Sequence, residues 1–336
     1  LFYRKAPSLA ITPVLYGGFM HYFEFLRGAL GRWENEDGSR TALRFTEGQM
    51  RLYAADTGYH VRSLASAGMC WDCETDAEAL HVTGSNREGS SQDVWGFDLL
   101  VNGALFAHRE GSIAQEPDFE WRVALPKGTK RVQLFFPCLA ETRLRELSLS
   151  GESFARKPAY DCRLLCLGDS ITQGYTVHFP SLAYANGLAL ALNAECLNQS
   201  IAGETFNPGM VDGSIALQPD RITIAYGTND WNCKTRERFI RDAEDYVRRV
   251  RESWPAAEIF VITPIWRGDT QAHPERFDFV ETETILEKIA TQHNAKTIRG
   301  AGLFPAVKEL TADGFLHPND LGHQVYAQRL AKAMGK

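Results

Sequence analysis

The feature that most limits the fold of this chain is a change of periodicity near residue 150. Before it, short alternating segments at 51–54, 79–83, 94–99, 120–125, 131–136 and 143–149 are separated by turn clusters. Alternation of apolar and polar residues puts one strand face inside and the other in water. Asn102-Gly103, between two apolar runs, reads as a two-residue hairpin, because both turn positions need positive φ. This spacing predicts an antiparallel β-sandwich of jelly-roll type over residues 1–155.

From Tyr160 onward the pattern alternates strands with helices. Strands are predicted at 163–167, 194–198, 221–226, 258–265 and 296–298, and helices at 180–193, 235–254, 279–294 and 320–334. The runs around Ile222 and Ile259 are almost wholly apolar and β-branched, as in strands covered on both faces. Strand–helix units with right-handed crossovers predict a three-layer α/β/α, flavodoxin-like domain with a parallel sheet over 156–336. The junction is placed in the polar stretch 151–160, which contains Pro158. With 336 residues, 44 % of them hydrophobic, there is material for two cores.

A net charge of −6 argues against a nucleic-acid partner, and charges of both signs alternate along 236–252 as on a solvated helix face. No apolar run approaches the ~20 residues a membrane span needs, so no membrane association is expected. No secretory leader is visible, and the seven scattered cysteines favour a reducing, cytoplasmic setting. Cys70-Trp-Asp-Cys73 has the spacing of a redox or metal pair, but no second pair accompanies it, and it is read as structural. There is no HExxH, P-loop or dinucleotide fingerprint, and no metal or cofactor is implied.

Four short pieces fall at the ends of predicted strands or in the loops after them. They are Gly168-Asp-Ser170, Asn198-Gln-Ser-Ile-Ala-Gly203, Gly227-Thr-Asn-Asp230 and Asp313-Gly-Phe-Leu-His317. The carboxyl edge of an open α/β sheet is where such folds place their chemistry. A serine hydroxyl is a poor nucleophile until a base takes its proton, and His317 is the candidate base for Ser170. The four pieces, in this order, resemble the SGNH (GDSL) hydrolase superfamily, whose block residues match Ser170, Gly203, Asn229 and His317. The resemblance covers about residues 162–336. It implies an oxyanion hole formed by the backbone N–H groups of Ser170 and Gly203 and the side-chain amide of Asn229. A glycine at 203 suits that role, because the backbone must approach the ligand with no Cβ in the way.

The family usually carries its acid three residues before the histidine, whereas Asp313 precedes His317 by four. Either Asp313 still reaches the imidazole, or a backbone carbonyl orients the ring and Ser170 and His317 act as a dyad. His323 is a competing base, but it falls inside the predicted last helix. Asp169 and Asp230 are read as loop braces. Trp231 and Trp266 follow strand ends and are expected to wall the substrate site. The order sandwich-then-hydrolase is similar to carbohydrate esterase family 2, which implies deacetylation of a sugar or glycan ester. An acyltransferase with the same serine chemistry and a non-catalytic carbohydrate-binding protein are the alternatives.

Overall fold

The computed structural model describes residues 22–151 and 153–336. The part of the expected sandwich over residues 1–21 lies outside the described residues. The N-terminal part contains β1 (Leu26–Arg27), β2 (Gly31–Glu34), β3 (Arg40–Leu43), α1 (Glu47–Tyr53), α2 (Thr57–Ser63), β4 (Cys70–Thr75) and β5 (Ala79–Glu88). It continues through β6 (Trp95–Val101), β7 (Ala104–Gly111), β8 (Asp118–Ala124), β9 (Lys130–Phe135), β10 (Ala140–Leu149) and β11 (Ala155–Arg156).

These strands form two antiparallel sheets, ordered β1-β4-β9-β6-β7 with β11 on β4, and β2-β3-β10-β5-β8. Trp71, Phe97, Leu134, Val82, Phe119 and Leu144 fill the space between them as a sandwich core. The β6–β7 hairpin turns at Asn102 and Gly103, with φ of 51° and 80°. Residues 51–54 are not a strand, contrary to the alternation: they belong to α1 and its C-cap. The reason is local. Thr46 and Gln49 form a reciprocal capping box at the start of α1, and Met50 and Tyr53, one turn apart, are buried.

The C-terminal part carries β12 (Cys162–Gly168), α3 (Ser170–Gln173), α4 (Tyr184–Ala191), β13 (Ala194–Ser200), β14 (Arg221–Ala225), α5 (Thr228–Cys233) and α6 (Arg236–Ser253). It ends with β15 (Glu258–Ile262), α7 (Glu281–Gln292), β16 (Lys296–Ile298), α8 (Gly300–Leu303) and α9 (Asp320–Ala333). The five strands are parallel in the order β13-β12-β14-β15-β16. Side chains alternate along them. Leu164, Cys166, Phe260 and Ile262 pack under α4 and α9, while Leu165, Leu167, Ile222, Ile224, Ile259 and Val261 pack under α6 and α7. The strand predicted to run to 265 stops at Ile262, two residues before Pro264, and the helix predicted from 180 begins as a 3₁₀ turn before α4.

The two parts meet through buried polar contacts. Asp72 on β4 is fully buried and accepts from Arg27, Arg131 and the Tyr160 hydroxyl. Arg131 also bonds Asn193 at the end of α4, and Arg27 bonds the carbonyl of Ala194. A buried carboxylate needs such partners, since its isolated charge would be costly. All seven cysteines are free thiols, and Cys70 and Cys73 are buried in separate packing clusters. No helix among the described residues is long and apolar enough to cross a membrane.

Candidate active site

The strand order reverses at β12, which lies between β13 and β14, and a crevice opens at the carboxyl ends there. Ser170 stands at the first position of α3, directly after β12. The turn is tight. A Cβ on Gly168 would lie 2.0 Å from Thr172 Oγ1 and 3.0 Å from the Ala225 carbonyl, so only glycine fits. Asp169 caps α3 by accepting the Ile171 N–H at 3.0 Å. Burial pushes its carboxyl up to about 7, with the Ile171 N–H opposing and nearby Asp230 reinforcing the shift.

Ser170 Oγ lies 3.0 Å from His317 Nε2, and His317 Nδ1 lies 2.7 Å from Asp313 Oδ2. Asp313 Oδ1 also accepts the backbone N–H groups of Phe315, Leu316 and His317, at 3.0, 2.8 and 3.1 Å. Its carboxylate therefore templates the turn that carries the histidine. The Ala312 N–H to His317 carbonyl bond and the Thr311–Pro318 bridge close that turn. Partial burial raises the Asp313 carboxyl, but the Leu316 and Phe315 N–H groups and His317 outweigh it and hold it below its ordinary value.

The loop after β13 brings Gly203 to the same edge, since the Ile201 N–H bonds the Gly168 carbonyl and the Ala202 N–H bonds Gln173 Oε1. Gly203 has φ +84°, a region that favours glycine. Among the described residues neither the Ser170 N–H nor the Gly203 N–H has a hydrogen-bond partner. Asn229, in the first turn of α5, donates one amide N–H to the Glu204 carbonyl at 2.9 Å, and its second amide N–H takes no partner among the described residues. Asp230 accepts from the Phe206 N–H and from Lys234 Nζ, and so braces the loops on either side.

One sequence expectation changes here. Trp231 does not wall an open site: it is 1 % exposed, its Nε1 bonds the Phe277 carbonyl at 2.7 Å, and Arg267 lies over its ring. Two residues beyond Asn229, the turn of α5 points it into the protein. His323 is fully buried, with Nδ1 accepting the Tyr184 N–H and Nε2 facing the Tyr175 carbonyl, so it is not beside Ser170 as a base. Trp266 is partly exposed and packs against Gly268, whose N–H bonds Phe315 in the histidine turn.

Several residues at this edge come from the N-terminal part and were not singled out from sequence. The Tyr59 hydroxyl on α2 donates to the Gly203 carbonyl at 3.1 Å, and Arg62 Nη1 donates to the Ala202 carbonyl at 2.8 Å. Arg44, fully buried, bonds the carbonyls of Ala65, Asn198, Ser200 and Arg62. On the other side the Tyr175 ring packs on His317 with centroids 4.8 Å apart, and its hydroxyl is held by Ser91 and Gln92. The capping box at Thr46 and Gln49 and the N-cap Asp56 were the available signals for α1 and α2.

Among the described residues no group of three or more His, Cys, Asp or Glu side chains is arranged to hold a metal. A cavity of about 20 Å³ lies behind the serine, lined by Asp169, Thr172, Tyr184, Thr263 and Tyr326 among others. It includes none of Ser170, Gly203, Asn229 and His317, so it is not where a substrate would meet the nucleophile.

Comparison with known proteins follows the same division of the chain. Residues 166–325 match the GDSL-like Lipase/Acylhydrolase family. A salicylyl-acyltransferase, SsfX3, from a tetracycline biosynthetic pathway superposes with a TM-score of 0.79 at 23 % identity, covering 92 % of this chain and 94 % of that one. A putative GDSL-like lipase from Bacteroides ovatus gives 0.71 at 18 % identity, over 92 % and 94 % of the two chains. A family two carbohydrate esterase from Cellvibrio japonicus gives 0.61 at 18 %, over 92 % and 93 %. At these identities the likeness is one of fold. No curated protein matches the sequence.

Proposed function

We propose that this protein, whose residues 166–325 match the GDSL-like lipase/acylhydrolase family, is a serine esterase that removes a short, acetyl-type acyl group from a carbohydrate. The observation that carries the reading is the 3.0 Å approach of Ser170 Oγ to His317 Nε2, at the sheet edge that also carries the Asn229 amide and the Ser170 and Gly203 N–H groups, which have no partner among the described residues. In this reading Ser170 Oγ attacks the ester carbonyl while its proton passes to His317 Nε2. Asp313 on Nδ1 stabilises the imidazolium. The developing oxyanion takes donors from Ser170, Gly203 and Asn229. Collapse returns the proton to the leaving alkoxide and leaves an acyl-Ser170 ester. Water, deprotonated by His317, then releases the carboxylic acid. The substrate partner is a small-molecule or glycan ester.

The carbohydrate part of this reading is supported by the sandwich-plus-hydrolase fold shared with family two carbohydrate esterases, and by the partly exposed Trp266 near the histidine turn. A screen of p-nitrophenyl esters and acetylated sugars, with Ser170→Ala alongside, tests it. Turnover of acetylated sugars that vanishes in Ser170→Ala supports it, and turnover that survives in that variant sinks it.

A second reading keeps the acyl-enzyme but passes the acyl group to an alcohol. It draws on the fold neighbour described as a salicylyl-acyltransferase. Partition of product between free acid and a new ester, measured with an added sugar or phenol acceptor, separates the two. A non-catalytic role draws no support from a serine and a histidine within hydrogen-bond range.

A further inference from the structure

Among the described residues Arg62 on α2 is a cation without a counter-ion. Its Nη1 donates to the Ala202 carbonyl and its guanidinium faces the Tyr59 ring at 5.6 Å; among the described residues no carboxylate reaches it as an ion pair. Asp56, at the start of the same helix, accepts the Tyr59 N–H as the cap of α2. Glu204, also close by, is buried, which raises its carboxyl toward the neutral form against the pull of the Thr205 N–H. A half-buried guanidinium presents five N–H donors, and among the described residues one of them is used on protein.

The position of that cation is specific. A Cβ built on Gly203 would lie 3.2 Å from Arg62 Nη1. The guanidinium therefore covers the open face of the residue whose partnerless N–H points to the oxyanion hole in the reading above. Arg44 fixes the α2 backbone through the Arg62 carbonyl, and the Tyr59 hydroxyl on the Gly203 carbonyl fixes α2 against the loop. Burial pushes the Tyr59 phenol up to about 12, so it stays a neutral donor. An ordered, planar fork with free donors fits a carboxylate in two-pronged fashion better than a neutral hydroxyl.

We infer that Arg62 forms an anion subsite beside the oxyanion hole, and that it selects esters carrying a carboxylate near the scissile bond. This rests on the esterase reading for its catalytic consequence, but not for the binding itself. The carboxylate belongs either to the alcohol, as in an acetylated uronic acid, or to the acyl group, as in a hemisuccinate. In both cases the guanidinium holds the anion while Ser170 attacks the ester carbon.

Two measurements test this. The first compares kcat/KM for acetylated glucuronate and acetylated glucose, and for p-nitrophenyl hemisuccinate and p-nitrophenyl butyrate, in wild type, Arg62→Ala, Arg62→Lys and Arg62→Glu. The preference for the charged member of at least one pair should fall roughly 10- to 100-fold in Arg62→Ala, the range of one charge-assisted contact, and survive in part in Arg62→Lys. The pair affected tells which side of the ester bears the carboxylate. An equal loss on charged and neutral esters would mean that Arg62 only holds the Ala202 loop, and would overturn the inference. The second titrates glucuronate, succinate and glucose into wild type and Arg62→Ala by calorimetry. Binding of one carboxylate that is lost in Arg62→Ala supports the subsite even if no ester is turned over, in which case the esterase reading fails alone. Failure of both carboxylates to bind wild type better than glucose overturns the subsite while leaving the esterase reading in place.

Discussion

His317 Nδ1 meets Asp313 Oδ2 at 2.7 Å although four positions separate the two residues, because the other carboxylate oxygen collects three consecutive backbone N–H groups of the same turn. Orientation of the ring and shape of the loop thus depend on one side chain. Asp313→Asn keeps the size of the group but removes the charge that stabilises the imidazolium. It should lower kcat by about 10²–10⁴-fold, with thermal stability changing little. Steady-state kinetics with a p-nitrophenyl ester checks this. Near wild-type kcat would transfer the orienting role to a backbone carbonyl.

Asn229→Ala removes one donor from the proposed oxyanion hole and releases the Glu204 carbonyl. The expected loss in kcat is roughly 10²–10³-fold, with KM moving far less, as for a donor that acts mainly in the transition state. Circular dichroism and a melting curve confirm that the fold survives.

Tyr175 links the sandwich to the proposed base: its ring lies on His317, and its hydroxyl is held by Ser91 and Gln92 from the N-terminal part. Tyr175→Ala should cost kcat roughly 10-fold through a less fixed imidazole, and Tyr175→Phe, which loses only the clamp, a few-fold. Ser91→Ala combined with Gln92→Ala should resemble Tyr175→Phe in kcat, although neither residue touches His317.

His323 gives the protein an acid-sensitive element separate from the proposed chemistry. Burial pushes it down to about 4, against a smaller raising effect of the Tyr175 carbonyl and with His317 adding to the lowering. Its Nδ1 accepts the Tyr184 N–H and cannot take a proton without losing that bond. The unfolded state takes up this proton near pH 6.5 and the folded state only near pH 4. The stabilising contribution is therefore fully present above about pH 6.5 and is lost as pH falls toward 4, to roughly 3 kcal/mol by linkage. The melting temperature of His323→Asn should fall less between pH 7 and pH 5 than that of wild type, measured by differential scanning calorimetry. Parallel slopes would remove His323 from the account.

The strand–helix alternation after Tyr160 made the parallel sheet legible, because each strand is a short apolar run bounded by turn residues. Ser170, Gly203, Asn229 and His317 were legible as four pieces at strand ends, and the structure brings the loops that carry them to one sheet edge. What the sequence obscured is non-local. Tyr175 and Ser91 meet across 84 positions, and Arg62 reaches the Ala202 carbonyl across 140. No periodicity encodes such contacts. Residues 51–54 misled because alternation over four residues also fits one turn of a helix, and the Thr46–Gln49 capping box was the stronger local signal. Trp231 misled because adjacency to Asn229 in sequence says nothing about which face of a short helix it occupies.

Whether Ser170 carries the acyl group is read by intact-protein and peptide mass spectrometry after rapid quench with p-nitrophenyl acetate. One acetyl group per molecule is expected, located on the peptide that contains Ser170, absent in Ser170→Ala, and longer-lived when His317→Ala slows both its formation and its release. Ester turnover with no acyl group on Ser170, or with the label on another residue, would contradict it.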